Sequence, residues 1–444
     1  MMPIVPQKLR RKSASIAGLL ELGFLTLFLL PDFQNYIYYK HGLLGFYAFF
    51  VLWLGVFLYA HPTDQSAVVR KILSRRFELL SLVGLLIIVA FNIVRSEKEL
   101  VYSYSMVIIN IIILYCIALV YSAVNPRFLN RIQLVIVAIF TLQTTISIPY
   151  FLFHDGARAA RLITASGQNT LEYSEALLNG IGPFSTYMGL ALLLPILVSR
   201  ALMSKLGWKT FYMFSFFIFA VVILLSSFAA SALMLFVGML LFVLLSVRAP
   251  YRSKRLIFML PIVCLLLLVT HYLLSEQPAY EFVMQKLETM LENFSNSLNI
   301  NKSDTTGRTE LTQLSIDSIV RSPIIGVGPA WPRGYLNLGE HNSWVDTWAA
   351  FGILGLGSVV CFLVLSCIRV YRQRDKIDYV LYRAKQASFV CYLIGGYINP
   401  ILFSSAVYII LIFFILSDER SVTRKRLPSR SIKRLISNTR IGSV

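Results

Sequence analysis

Charged residues are scarce in this chain. They make up 14% of its 444 residues, while 57% are hydrophobic. A soluble domain carries about 25% charged residues, so the shortage excludes an ordinary water-soluble protein. The apolar residues gather into runs of about 20, and a run of that length crosses about 30 Å of hydrocarbon as a helix. The expected fold is all-α, a polytopic membrane protein.

Cysteine is sparse too. Cys116, Cys264, Cys361, Cys367 and Cys391 all fall inside apolar runs, and no Cys-x-x-Cys pair occurs. They read as small buried hydrophobes, which excludes a disulfide framework and a thiolate metal site. The chain has 5 histidines. No second His or Cys stands at ligand spacing from His341, so no metal is expected there, and no cofactor is implied.

Acidic residues are outnumbered, 22 against 41 basic, for a formal net charge of +19. In a soluble protein that excess would suggest nucleic acid. In a membrane protein it retains loops on the cytoplasmic side, and no nucleic-acid partner is expected. Lys8, Arg10, Arg11 and Lys12 precede an apolar stretch, as in a signal peptide. That stretch is long and lacks a small-x-small cleavage site, so it is read as an uncleaved first span.

Twelve spans are expected, at about 14–31, 42–60, 77–94, 101–123, 132–153, 181–199, 210–227, 231–247, 256–274, 342–367, 384–399 and 402–417. Gly395, Gly396 and Pro400 interrupt the last pair, which reads either as a hairpin or as one broken helix. With Lys385, at the edge of the 384–399 run, counted in the loop before it, 31 of the basic residues fall on the side that holds both termini and 10 on the other. That bias places both termini in the cytoplasm. It assigns every Lys and Arg to a loop, so none is expected to be buried in a span. The basic tail from Arg420 would lie against anionic headgroups. The chain thus divides into spans 1–9 over residues 1–274, a large outer loop over 275–341, spans 10–12 over 342–417, and a tail over 418–444.

The outer loops hold 14 of the acidic residues, and two of these loops exceed what a connection needs. Loops of such length are usually functional or disordered. In 154–180, Arg158 and Arg161 would share a face at i, i+3 if that segment is helical. They could bind phosphate, or pair with Asp155, Glu172 or Glu175. In 275–341, Val283, Leu287, Met290, Leu291, Phe294 and Leu298 recur at helical spacing. A second helix is expected from about Thr309 to Val320, with Leu311, Leu314, Ile319 and Val320 inward and Pro323 ending it. The turn IGVGPAWP follows, with Trp331 at headgroup depth.

Ionisable groups inside a span invite a functional reading. Glu21 and Asp346 are the two singled out here. Ser343-x-x-Asp346 fits a capping box, and no partner for Glu21 is evident. Arg308 stands at the start of the second loop helix, where a guanidinium and helix amides together suit phosphate. On position alone it reads first as a solvated loop arginine. His341 stands at the mouth of the following span. It could be a general base or a bystander that helps cap the helix.

The block TTGRTELTQLSIDSIVRSPIIGVGPAWP followed by EHNSWVDTWAAFGILGLG, within Thr306 to Gly357, resembles the shared core of the O-antigen ligase and O-antigen polymerase superfamily. The matching pieces are Gly307-Arg308, Pro323 to Gly328, His341-Asn342 and Gly352 to Gly355. The resemblance implies glycosyl transfer from undecaprenyl diphosphate to an acceptor hydroxyl, on the outer face of the bacterial cytoplasmic membrane and without a metal. It casts Arg308 as holder of the diphosphate and His341 as the group that orients or deprotonates the acceptor. Asn342, Arg158 and Arg161 become candidates for substrate binding. One departure stands out. Family members often carry Ser-Arg-Gly or Ser-Arg-Ala where this chain has SSFAASALM, with Phe228 and Ala229 in the place of the arginine. Arg161 or Arg158 is the expected substitute.

A polymerase of O-antigen, capsule or exopolysaccharide repeat units is the leading expectation. Its partners would be the lipid-linked donor, a glycan or lipid-linked acceptor, the bilayer and a chain-length regulator. The alternatives are a ligase delivering finished polymer to lipid A core, and a twelve-span secondary transporter. No internal repeat favours the transporter.

Overall fold

The structure is a computed structural model that describes residues 20–25, 48, 50–59, 65–95, 98–154, 156, 159–160, 178–226, 228–246, 308–328, 342–372, 374, 377–399 and 401–417. All of the regular structure among them is helical: α1 (Gln65–Leu73), α2 (Arg76–Arg95), α3 (Lys98–Val124), α4 (Pro126–Phe153), α5 (Phe184–Met203), α6 (Leu206–Leu225), α7 (Ala229–Ser246), α8 (Arg308–Arg321), α9 (Ser343–Arg372), α10 (Tyr379–Ile398) and α11 (Ser405–Ile410). A single π turn, Leu411–Ile415, continues α11.

Six of these helices are long and apolar enough to cross a membrane: α3 from Val107, α4, α5, α6, α7 and α9. Twelve were expected. Helix α2, the short helix Phe50–Tyr59, α10, and α11 with its π turn fall at four further expected spans. Residues 20–25 are a fragment of the first, and 256–274 lies outside the described residues.

Local signals set the boundaries. Asn125 caps α4 by accepting a bond from Phe128 N–H at 3.1 Å, and Pro126 takes the first helical position, where its missing N–H costs nothing. Asp378 caps α10 through Val380 N–H at 3.0 Å. Helix α5 is apolar on every side and is accordingly the hub, packed against α6, α7, α10 and α11. Helix α9 packs against α2 and α8. The final pair resolves as a hairpin, with α10 ending at Ile398 and α11 starting at Ser405. Glycine spaces it: a Cβ on Gly396 would press on the Trp344 indole, and one on Gly395 would meet Ile401 and Met188.

The expectation that no basic residue is buried in a span is corrected. Lys385, inside α10, is 1% exposed, and Arg369, in the last turn of α9, is 5% exposed. Lys385 Nζ donates to the Ser417 carbonyl (2.9 Å) and hydroxyl (3.1 Å). Arg369 donates to Tyr115 Oη (2.5 Å) and the Leu416 carbonyl (2.8 Å), and lies 3.6 Å from Glu78, itself buried and also paired with Arg75. Arg200 donates to Gln133 Oε1, whose amide nitrogen donates to the Phe413 carbonyl (2.6 Å). The physical reason is the way the last helix ends. Its π turn stops inside the bundle, leaving carbonyls at the negative end of a helix dipole. Cations and an amide from α4, α9 and α10 satisfy them.

Glu21 has a partner after all. Tyr121 Oη donates to its carboxylate, and Trp53 Nε1 donates to that phenol oxygen at 3.2 Å.

Candidate functional site

Helix α8 begins at Arg308 and ends at Arg321, one residue beyond the expected bounds at each end. Proline at 323 explains the stop, since a residue before proline disfavours the helical conformation. Its packed face differs from expectation. Ser315, Ser318 and Ser322 are buried and Ile319 is partly buried, whereas Leu314 and Val320 are 39% and 75% exposed. Small serines at i, i+3 and i+7 bring α8 close to α9. The larger aliphatic side chains Leu314 and Val320 turn away from that packed face. The side chains of Arg308 and Leu311 lie outside the described residues.

The turn after α8 docks onto a break in α9. Gly352 interrupts α9 with φ 67° and ψ −177°, and Gly326 has φ 75°. A Cβ on Gly352 would overlap the backbone of Ile324 and Ile325, and one on Gly326 would overlap that of Ala350 and Phe351. Only glycine permits this approach. The two broken stretches satisfy each other. Val327 N–H donates to Ala349 O and Gly328 N–H to Ala350 O, both at 2.9 Å. In return Ile353 N–H donates to Pro323 O (2.9 Å) and Leu354 N–H to Ile324 O (3.3 Å). Trp348 Nε1 adds a bond to Pro323 O (3.1 Å), and Asn92 of α2 donates to Ile325 O (3.0 Å). Gly352 stands nine residues past Ser343, about 13 Å into the helix. Irregular backbone at such depth is tolerated where protein pairs its polar groups. Gly357 faces open space: a Cβ added there would meet nothing within 4 Å.

The start of α9 is also built differently from expectation. The cap is Asn342, whose Oδ1 accepts from Trp344 N–H (3.1 Å) and Val345 N–H (3.3 Å). Ser343 is not the cap. Its Oγ donates to Asn399 O (2.7 Å) and accepts from Ile401 N–H (2.7 Å), which ties α9 to the α10–α11 turn. Asp346 does reach back: one carboxylate oxygen accepts from Asn342 N–H (3.2 Å) and the other from Ser315 Oγ (2.6 Å).

Ser315 thus meets the first turn of α9, and Pro323 meets Ile353 further along. The two helices run in the same sense, and both N-termini lie at one end. That end is opposite the cluster of Arg369 and Lys385. Of the expected site residues, the structure brings the backbone of Arg308 and Asn342 to this shared end. His341, Arg158 and Arg161 lie outside the described residues. Phe228, in the place of the family arginine, packs against Phe184 (ring centroids 5.1 Å apart) and Tyr187 (5.6 Å). Sequence reasoning missed Ser315 and Asn92. An asparagine inside the apolar run 77–94 was a usable signal for the latter. Among the described residues, no three His, Cys, Asp or Glu gather as metal ligands.

An all-helical membrane protein with a helix–turn docked into a broken span is the class this architecture defines. Residues 214–360 match the family model Wzy_C, described as O-antigen ligase. The match takes in α6 from Phe214, α7, α8 and the docked half of α9, so the resemblance read from Thr306 to Gly357 holds. No curated protein matches the chain.

Proposed function

We propose that the chain transfers a glycan from undecaprenyl diphosphate to an acceptor hydroxyl at the outer face of the bacterial cytoplasmic membrane, polymerising surface polysaccharide repeat units. The observation that carries this reading is the coincidence of the family match with the shared end of α8 and α9, where Arg308 opens one helix and Asn342 caps the other. Two helix N-termini directed to one end of the bundle favour negative charge there.

In the proposed reaction the acceptor oxygen attacks the anomeric carbon and His341 takes its proton. The bond from that carbon to the diphosphate oxygen breaks, and the diphosphate leaves with the electron pair. Arg308 stabilises the charge that grows on the leaving oxygens, so no metal is required. Arg158 or Arg161 supplies the second cation that Phe228 does not. The reading also places both termini in the cytoplasm, in keeping with the 31 to 10 division of basic residues.

The test is deletion of the gene followed by complementation. The expected deletion phenotype is display of a single repeat unit. Complementation by wild type should restore long polymer, while Arg308→Ala and His341→Ala insert normally and do not. Retained polymer length in both variants overturns the site assignment. The family's description favours a ligase as the second reading. Its mark would be long chains accumulating on the lipid carrier in the deletion strain.

A further inference from the structure

We propose that Asp346 is a positioning residue of the transfer site, holding α8 and the start of α9 in register through its two carboxylate oxygens. This rests on the reading given under Proposed function. One oxygen accepts from the Ser315 hydroxyl of α8 at 2.6 Å, and the other accepts from the Asn342 N–H of α9 at 3.2 Å. The Ser315 side chain is fully buried, so its hydroxyl is held away from water. A charged acceptor makes such bonds short and strong.

The spacing explains why this register matters. Residues 308 and 315 are seven apart in α8. At about 100° per residue they fall on one face, about 20° apart, with two turns or roughly 10 Å between them. The face that Ser315 turns to α9 is therefore the face on which position 308 lies. Asn342, held by the other oxygen, directly follows His341. One carboxylate thus joins the helix that presents position 308 to the backbone next to position 341. Pro323 to Gly328, docked at Gly352, already anchor the far end of α8. Asp346 anchors its middle, at Ser315, and so sets its rotation.

The experiment uses the full-length protein purified in detergent. The probe is the undecaprenyl-diphosphate-linked glycan extracted from cells lacking this gene, with release of undecaprenyl diphosphate as the readout. Asp346→Asn and Ser315→Ala should each lower kcat about 10- to 100-fold, the scale of a misplacement near 1 Å. KM for the probe should stay within about twofold, because a positioning group acts on the transition state more than on binding. The double variant should be no slower than the slower single one, because both remove the same link. Either variant within about twofold of wild type, or losses that multiply in the double variant, would overturn the proposal. Ser315→Ala removes one oxygen atom and keeps the test decisive if Asp346→Asn does not fold. Arg308→Ala and His341→Ala are run beside them. If those two are inert while the Asp346 and Ser315 variants are fully active, positioning alone is refuted. If those two are as active as wild type, the transfer-site reading fails and the positioning proposal falls with it.

Discussion

Gly352→Ala tests the central architectural feature. At φ 67° and ψ −177° the backbone occupies a region open essentially only to glycine, and an alanine held there stores about 1–3 kcal/mol. Its Cβ would also overlap the Ile324 carbonyl and the Ile325 nitrogen. These are backbone atoms that cannot swing aside as a flexible side chain does. Relief requires the turn to lift, which strains the bonds between Ile353 and Pro323 and between Leu354 and Ile324. Each lost bond costs about 1 kcal/mol. Strain and two lost bonds together come to about 3–5 kcal/mol, a large share of a total stability of about 5–15 kcal/mol. Thermal unfolding of the purified protein followed by size-exclusion fluorescence should show a midpoint lower by roughly 5 °C or more. Gly357→Ala is the matched control. Nothing lies within 4 Å of its added carbon, so its midpoint should hold or rise slightly, as for any glycine replaced in a helix interior. An unchanged midpoint and unchanged activity in Gly352→Ala would refute the docking of the turn into the broken helix.

Three further outcomes follow from the same geometry. Lys385→Met removes the donor to the Ser417 carbonyl and hydroxyl. Losing this buried charged donor should cost about 1–3 kcal/mol, read as a lower unfolding midpoint; Ser417→Ala should cost less, because the bond from Lys385 to the carbonyl survives. Asn342→Ala removes the cap of α9 and should cost about 0.5–2 kcal/mol, whereas Ser343→Ala should act instead by loosening the α10–α11 turn, seen as faster hydrogen exchange at Ile401. A periplasmic reporter such as alkaline phosphatase fused after residue 300 should be active, and one fused after residue 430 inactive. The reverse pattern would invert the proposed topology.

Much of the site is legible as order along the chain. The glycine at 307, the proline at 323, the glycines at 326, 328 and 352, and the start of a span at 342 are local signals. Helix α8 begins and ends, and α9 begins, within a residue of where those signals predict. The packed face of α8 is not legible. Leucine and valine are expected inward, but the contact with α9 is made by small serines, which allow a closer approach, and Leu314 and Val320 are left exposed. The cap of α9 escapes sequence reasoning for a related reason. Asn342 and Ser343 are both good caps, and the role falls to Asn342 because Ser343 is claimed by Asn399 and Ile401, more than 50 residues away. Lys385 and Arg369 are assigned to loops because hydropathy treats a cation as a span boundary. Their acceptors include the Leu416 and Ser417 carbonyls, freed by a π turn that no local pattern announces.

The sequence by itself determined that the chain lives in a membrane, that its long apolar runs form helices, where α8 starts and stops and α9 starts, and which superfamily the block from Thr306 to Gly357 resembles. These rest on composition, periodicity and turn chemistry, all of which are local. Only the tertiary structure decided that the turn after α8 plugs a break in α9, that Asp346 joins the two helices, and that buried cations close the end of the last helix. Each of these depends on which backbone groups are left without a partner in their own helix, and that is settled only when the helices meet.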